Sequence, residues 1–309
     1  MNSTENKHTI QENAPMTVDY ALHDIAPYIN WIYFFHAWGF QPRFATISNI
    51  HGCDACRASW LTSFAEADRP KASEAMQLFK EAQKMIAQLD ADYATHASFV
   101  ITEAYSDGDD ICLDEFKTRI PMLRQQKSRK GEPNLCLSDY VAPKHIGRTT
   151  IGLFATTIDK EVETLYGNDD YKHLLVQTVA DRLSEATAEK MHEEIRKKYW
   201  GYAPDENLTV AQLHSEEFTG IRPAIGYPSL PDQSIVFLLS DILKMENIGI
   251  RLTENGAMIP HASTCGLMFA HPQASYFSVG KISEEQLADY AKRRGLPCET
   301  VRKFLTANL

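Results

Sequence analysis

The residues best suited to chemistry lie in the run Glu216-Glu217-Phe218-Thr219-Gly220-Ile221-Arg222-Pro223-Ala224-Ile225-Gly226-Tyr227-Pro228. Two prolines fix φ around an arginine, and Gly220 permits close backbone approach. Arg222 offers a planar fork matched to a carboxylate. The same run also reads as a turn with Arg222 paired to a surface acid, and spacing alone does not separate the two. A second candidate is His51-Gly52-Cys53-Asp54-Ala55-Cys56, because thiolates in a Cys-x-x-Cys pair can share one metal ion and His51 can be a third ligand. This is half of a metal site, and redox chemistry or plain structural thiols remain open beside it.

Other signatures are absent. There is no Gly-x-Gly-x-x-Gly, no Gly-x-x-x-x-Gly-Lys-Ser/Thr and no Gly-x-Ser-x-Gly. His192-Glu193-Glu194-Ile195-Arg196 begins like a zincin helix but carries Arg where the second His belongs.

The elements that must position these residues follow from hydrophobic spacing. Ala75, Met76, Phe79, Ala82, Ile86 and Leu89 give one apolar stripe and predict a helix over Lys71 to Leu89. Ser98 to Glu103 and Ile111 to Leu113 flank Ser106-Asp107-Gly108-Asp109-Asp110, which predicts an antiparallel hairpin. Gln125 to Asn134 is basic and turn-forming, while Ile151 to Thr157 is a buried-strand candidate. Tyr171 to Trp200 is the strongest helix and is predicted to stop at Gly201. On it Asp181, Glu185, Ala188 and His192 share a stripe, and the two acids ask for a cation, with Arg182 or a lysine as the plain partner. A long Pro- and Gly-punctuated segment follows and is a candidate binding loop. Further helices are expected at Ser234 to Glu246 and Ser283 to Arg294, with Ser275 to Val279 as a strand between them. The mixed order, without regular βαβα alternation, predicts an α+β fold: one domain with a mainly antiparallel sheet flanked by helices.

Composition narrows the function. The 309 residues carry 31 Lys+Arg against 41 Asp+Glu, a net charge of −10. That excess of acid argues against nucleic-acid or anionic-membrane partners. No stretch has the length and apolarity of a membrane-spanning helix, and the polar N-terminus lacks a secretory layout, so a cytoplasmic protein is expected. The six cysteines are expected to be thiols. Residues 1–16 lack periodicity and are expected to be a tail, with the domain proper over 17–309.

The chain resembles the activation domain of cobalamin-dependent methionine synthase. The likeness is carried by Tyr199-Trp200-Gly201-Tyr202-Ala203-Pro204, by Gly220-Ile221-Arg222-Pro223-Ala224 with Gly226-Tyr227-Pro228, and by Phe269-Ala270-His271-Pro272. It extends through Cys136-Leu137-Ser138-Asp139-Tyr140-Val141-Ala142-Pro143 and Asp289-Tyr290-Ala291-Lys292-Arg293-Arg294-Gly295, and covers nearly the whole chain from Asn30 onward. It implies a bent sheet and an S-adenosylmethionine site used for reductive methylation of cob(II)alamin. It also implies a cobalamin-binding methionine synthase core and a flavodoxin-type electron donor as partners.

Carried over by position, Arg222 holds the ligand carboxylate, and backbone near Arg222 and Ala224 meets the adenine. Gly226 and Tyr227 belong to the same motif, Tyr276 and Phe277 form a second ligand-contacting segment, and Glu185 is the helix carboxylate near the sulfonium. No acid, base or nucleophile is required of the protein, because the methyl donor is already activated.

Two departures stand out. Asn30 occupies the place of an Asp that contacts the ligand ammonium, which removes charge assistance and predicts weaker binding. Ser48 to Arg69, with the Cys-x-x-Cys pair, looks like an insertion. The chain lacks the Asp-x-His-x-x-Gly cobalamin motif, so cobalamin is expected only through a partner protein. The expectation is a separately encoded activator acting in trans, favoured over an excised domain by Met1 and its polar leader. The alternative is a non-catalytic partner-binding subunit with a weakened ligand site; a free-standing methyltransferase is the third reading.

Overall fold

A computed structural model describes residues 14–128 and 131–309. Strand β1 (Met16–Ala21) leads into the short helix α1 (Leu22–Ile25) and then α2 (Trp31–Ala37). Helices α3 (Asp54–Thr62) and α4 (Arg69–Leu89) follow, then strands β2 (Ala94–Asp107), β3 (Asp110–Leu113), β4 (Thr118–Pro121) and β5 (Thr149–Ile158). The long helix α5 (Asp170–Glu194), α6 (Val210–His214) and α7 (Val236–Leu243) precede a two-stranded ribbon, β6 (Arg251–Leu252) with β7 (Met258–Ile259). Strand β8 (Ser263–Met268) and helices α8 (Glu284–Arg294) and α9 (Cys298–Phe304) complete the chain.

The main sheet runs β4-β3-β2-β5-β8, and every pairing is antiparallel. Strand β2 is long enough to serve two neighbours along one edge: its start pairs with β1 and its end with β3. The β2–β3 turn is the expected hairpin, with Gly108 at φ +62°. Both faces of the sheet are covered, so successive residues alternate between two apolar cores. Phe99, Phe154 and Met268 pack with α2, α4 and α5. Leu153, Ala155, Cys265, Leu267 and Phe269 pack on the other side with α7 and Ile221. Fully burying each of the Leu, Phe and Met side chains among them stabilises the fold by roughly 1.5–3 kcal/mol. The expected α+β fold is the fold observed.

Four sequence expectations need correction. Residues 1–13 of the expected tail lie outside the described residues, and Met16 is already in β1, opposite Phe99. The long helix ends as α-helix at Glu194 and continues as one π-helical turn, Ile195–Tyr199, before Gly201 at φ +71° stops it. The helix expected over Ser234 to Glu246 opens as a 3-10 turn, Gln233–Ile235, and breaks at Lys244, whose φ is +48°. Ser275 to Val279 is extended but has no ladder: Phe277 N–H donates to Ser229 Oγ and Val279 N–H to the Pro228 carbonyl. The strand in this region is β8, which was missed because Gly266 and flanking Ser and Thr dilute its apolar pattern.

Candidate functional site

The segment from Gly220 to Ile225 docks against β8 as an irregular strand. Ile221 and Phe269 exchange both backbone hydrogen bonds, at 2.9 Å each. Leu267 N–H donates to the Pro223 carbonyl at 3.0 Å, and Ile225 N–H to the Cys265 carbonyl at 2.8 Å. Backbone groups alternate in direction along such a segment, so those of Arg222 and Ala224 face away from the sheet. Arg222 N–H donates to the Tyr276 hydroxyl at 2.9 Å. The close approach depends on Gly266, where a Cβ would stand 2.2 Å from the Pro223 carbonyl oxygen. Gly220 is constrained in the same way, with Phe269 O at 2.3 Å from a notional Cβ.

Helix α5 supplies the facing wall. Its N-cap Asp169 accepts from Lys172 N–H, and its apolar stripe, including Leu183, Ala186 and Met191, is buried against the sheet. That fixes the azimuth of Arg182, Glu185 and Glu189. Arg182 Nη1 donates to Glu185 at 2.8 Å, so Glu185 has the plain partner expected from the sequence. Arg222 Nη2 donates to Glu189, and its guanidinium lies 5.5 Å from the Phe154 ring centroid. Burial opposes the charge on Arg222, but Glu189, Tyr276 and Glu185 outweigh it and hold the guanidinium more firmly protonated than usual. Burial raises the Glu185 carboxyl above its ordinary range despite Arg182, and raises the Tyr276 and Tyr227 hydroxyls as well.

These walls enclose a cavity of about 770 Å³. Asn30, Glu185, Arg222, Ala224, Tyr227, Tyr276 and Phe277 all line it. Gly226 does not: its left-handed φ of +86°, which disfavours a side chain, and its N–H bond to the Leu230 carbonyl turn the loop behind Tyr227. Asn30 reaches the wall as the N-cap of α2, where its Oδ1 accepts from Ile32 N–H at 3.1 Å. The oxygen expected to meet a ligand ammonium is therefore already serving the helix.

Sequence reasoning missed Glu189, which closes the i, i+4 row through Asp181 and Glu185. The stripe drawn through Ala188 and His192 instead follows the buried side of the helix. His192 has no exposed surface, and burial beside Arg196 and Arg222 drives its pKa well below normal. Asp181 lies apart from the cavity wall, 3.7 Å from His261.

The His51, Cys53 and Cys56 cluster is elsewhere, with no residue in common with the cavity. A hydrogen bond from His51 draws the Cys53 thiol down to about 7. No helix among the described residues is long and apolar enough to cross a membrane.

The comparisons with known proteins bear on the family and the fold. The sequence pattern of the family described as "Vitamin B12 dependent methionine synthase, activation domain" matches residues 21–295. Among solved structures, the chain is similar to the MetH reactivation domain in a crystal structure with AdoHcy bound. The TM-score is 0.82 and the identity 34%, over 97% of this chain and 91% of that one. The chain belongs to the family of vitamin B12-dependent methionine synthase activation domains.

Proposed function

We propose that the chain binds S-adenosylmethionine in this cavity and supports reductive methylation of cob(II)alamin, reactivating a cobalamin-dependent methionine synthase in trans. The observation that carries the reading is the buried Arg222 guanidinium, paired with Glu189 and sharing with Glu185 the wall of a cavity lined also by Tyr227, Tyr276 and Phe277. An amino-acid end with one carboxylate and one ammonium matches that pairing of opposite charges. A sulfonium suits an acidic and aromatic wall, and a flat adenine suits an aromatic surface. The similar MetH domain is bound to AdoHcy, which shares every one of these groups except the sulfonium.

In this reading Arg222 takes the carboxylate on the guanidinium surface that Glu189 leaves free. Glu185 and Glu189 face the positive end, and the backbone of Arg222 and Ala224, turned away from β8, meets the adenine. Tyr276 and Phe277 cover the ring, with Gly226 and Tyr227 closing the loop beside it. S-adenosylmethionine supplies the methyl group already activated on sulfur. The protein's work is placement and exclusion of water, and it contributes no general acid, base or nucleophile. Cobalamin is brought by a methionine synthase core, and one electron by a flavodoxin-type donor.

Asn30 favours a second reading, a partner-binding subunit with a weakened ligand site, because its oxygen already caps α2. Thermal unfolding with S-adenosylmethionine separates the two. Ligand at a hundred times its dissociation constant adds about 2.7 kcal/mol, whereas no shift at millimolar ligand would favour the weakened site. The reaction is tested by adding the chain to a methionine synthase core held as cob(II)alamin, with a reductant and methyl-labelled S-adenosylmethionine. Label on cobalamin only when the chain is present is the expected result; its absence would sink the proposal.

A further inference from the structure

We propose that His51, Cys53 and Cys56 bind one zinc ion through two thiolates and an imidazole, leaving a fourth position open to water or an outside ligand. The ligating atoms of the three side chains already lie within 4.8 Å of one another. Zinc–sulfur bonds of about 2.3 Å and zinc–nitrogen bonds of about 2.0–2.1 Å in a tetrahedron put the donors roughly 3.5–3.8 Å apart. Side-chain rotation over about an ångström closes that difference without moving the backbone.

The local fold is suited to holding two thiolates together. Cys53 is the N-cap of α3, and its sulfur accepts the Cys56 N–H at 3.4 Å. The first turn of the helix thus directs an N–H group and the positive end of its dipole at the Cys53 sulfur. The donor set is one imidazole and two sulfurs, without a carboxylate. Asp54 points fully into solvent, with Arg57 as its partner at 3.5 Å. Soft nitrogen and sulfur donors select zinc over magnesium or calcium.

The other cysteines give the contrast. Cys136 and Cys265 are sealed in the apolar core, Cys112 is buried beside Tyr105 and Arg119, and Cys298 packs on the C-terminal core cluster, which holds no second cysteine. Cys53 and Cys56 are half-exposed and face each other beside an exposed His51, so core packing does not account for them. Three protein ligands with an open fourth position is the arrangement of a zinc ion that still accepts an exogenous donor. The site shares no residue with the cavity, so it stands or falls independently of ligand binding there.

The test uses the full chain purified under reducing conditions without chelator. One zinc per chain is expected by elemental mass spectrometry. Cobalt(II) replacing it should give a thiolate-to-cobalt charge-transfer band and the intense visible bands of a tetrahedral ion. Cys53→Ser and Cys56→Ser should each abolish stoichiometric metal, and His51→Ala should weaken zinc by about tenfold or more against a chromophoric chelator. S-adenosylmethionine binding should survive all three. In the unmutated chain, zinc should protect Cys53 and Cys56, and not Cys298, from alkylation read by peptide mass spectrometry; this arm needs no variant to fold. The proposal is overturned if the reduced chain takes up no zinc, or if the cobalt bands persist in the Cys53→Ser/Cys56→Ser double variant. It is equally overturned if the pair is isolated as a disulfide whose reduced form ignores zinc.

Discussion

Two arginines leave water on either side of His192, and they do different work. Arg196, in the π-helical turn, has no exposed side-chain surface and meets Glu206, itself only 8% exposed. Its Nε and Nη2 engage both carboxylate oxygens, at 2.5 to 3.1 Å, and its guanidinium lies 4.3 Å from the Phe218 ring centroid. Arg222 keeps 11% exposure and Glu189 22%. There a single nitrogen meets a single oxygen, and Arg222 Nε and Glu189 Oε2 have no partner. The first pair commits most of its hydrogen-bonding capacity to fastening the loop after α5 to the helix, with Arg196 Nη1 left unpartnered. The second keeps some in reserve on a cavity wall. Engagement of both carboxylate oxygens away from the cavity marks the clamp, and a single contact on the cavity wall marks the receptor.

Breaking the clamp should have the largest effect. Arg196→Met leaves Glu206 buried without its cation, and a loss of about 3–5 kcal/mol is expected from urea unfolding. Arg196→Met/Glu206→Met should recover much of it, with ligand affinity unchanged in the folded fraction. A single-variant loss under about 1 kcal/mol would erase the distinction drawn here.

Arg222→Gln should reverse the pattern. Stability falls less, because both partners keep contact with solvent. S-adenosylmethionine binding by calorimetry should weaken by about 2 kcal/mol, roughly thirtyfold, the contribution of a hydrogen bond to a charged group. Unchanged affinity would show that the open pair is not a receptor.

Asn30→Asp sharpens the same wall. Asp caps α2 as well as Asn does, so the unfolding midpoint should not move. The restored charge should tighten binding by about 1 kcal/mol, or roughly fivefold. No gain would mean that the ammonium is held elsewhere, with Glu185 and Glu189 the nearest alternatives.

The smallest effect is a pH slope. Burial raises the Glu185 carboxyl, so the folded chain holds that proton to higher pH than the unfolded chain does. The stability associated with it is full below the ordinary value near 4.3 and is lost as pH rises through the raised one. Affinity for a cationic ligand runs the other way, increasing over that window as the carboxylate forms. Calorimetry from pH 4 to pH 7 should show the rise, flattened in Glu185→Gln; a slope that survives the substitution assigns it to another group.

What was legible in the sequence follows from local periodicity. The α4 stripe, the Asp107-Gly108 hairpin and the buried run in β5 each encode their own conformation, and each forms as expected. Strand β8 was not legible, because its partners β5 and the 221–225 segment lie far away in the chain and Gly266 is selected by backbone approach rather than by strand propensity. The cavity residues were legible by family likeness. Glu189 was not, since helical spacing leaves two adjacent rows on α5 and only packing shows which one is free; nor were Tyr33, His36 and His214, which reach the wall from other elements.

The sequence by itself determined the family, the α+β class, the identity of the chemically able side chains and the stiffness of the backbone around Arg222. Those depend on residue type and near-neighbour spacing. Only the tertiary structure decided that Arg222 meets Glu189 while Glu185 keeps Arg182, that Asn30 spends its oxygen on a helix cap, and that Gly226 stands behind the wall. Partner choice among several nearby acids and cations is set by the azimuth of α5 against the sheet, and that angle is fixed by core packing between residues more than a hundred positions apart.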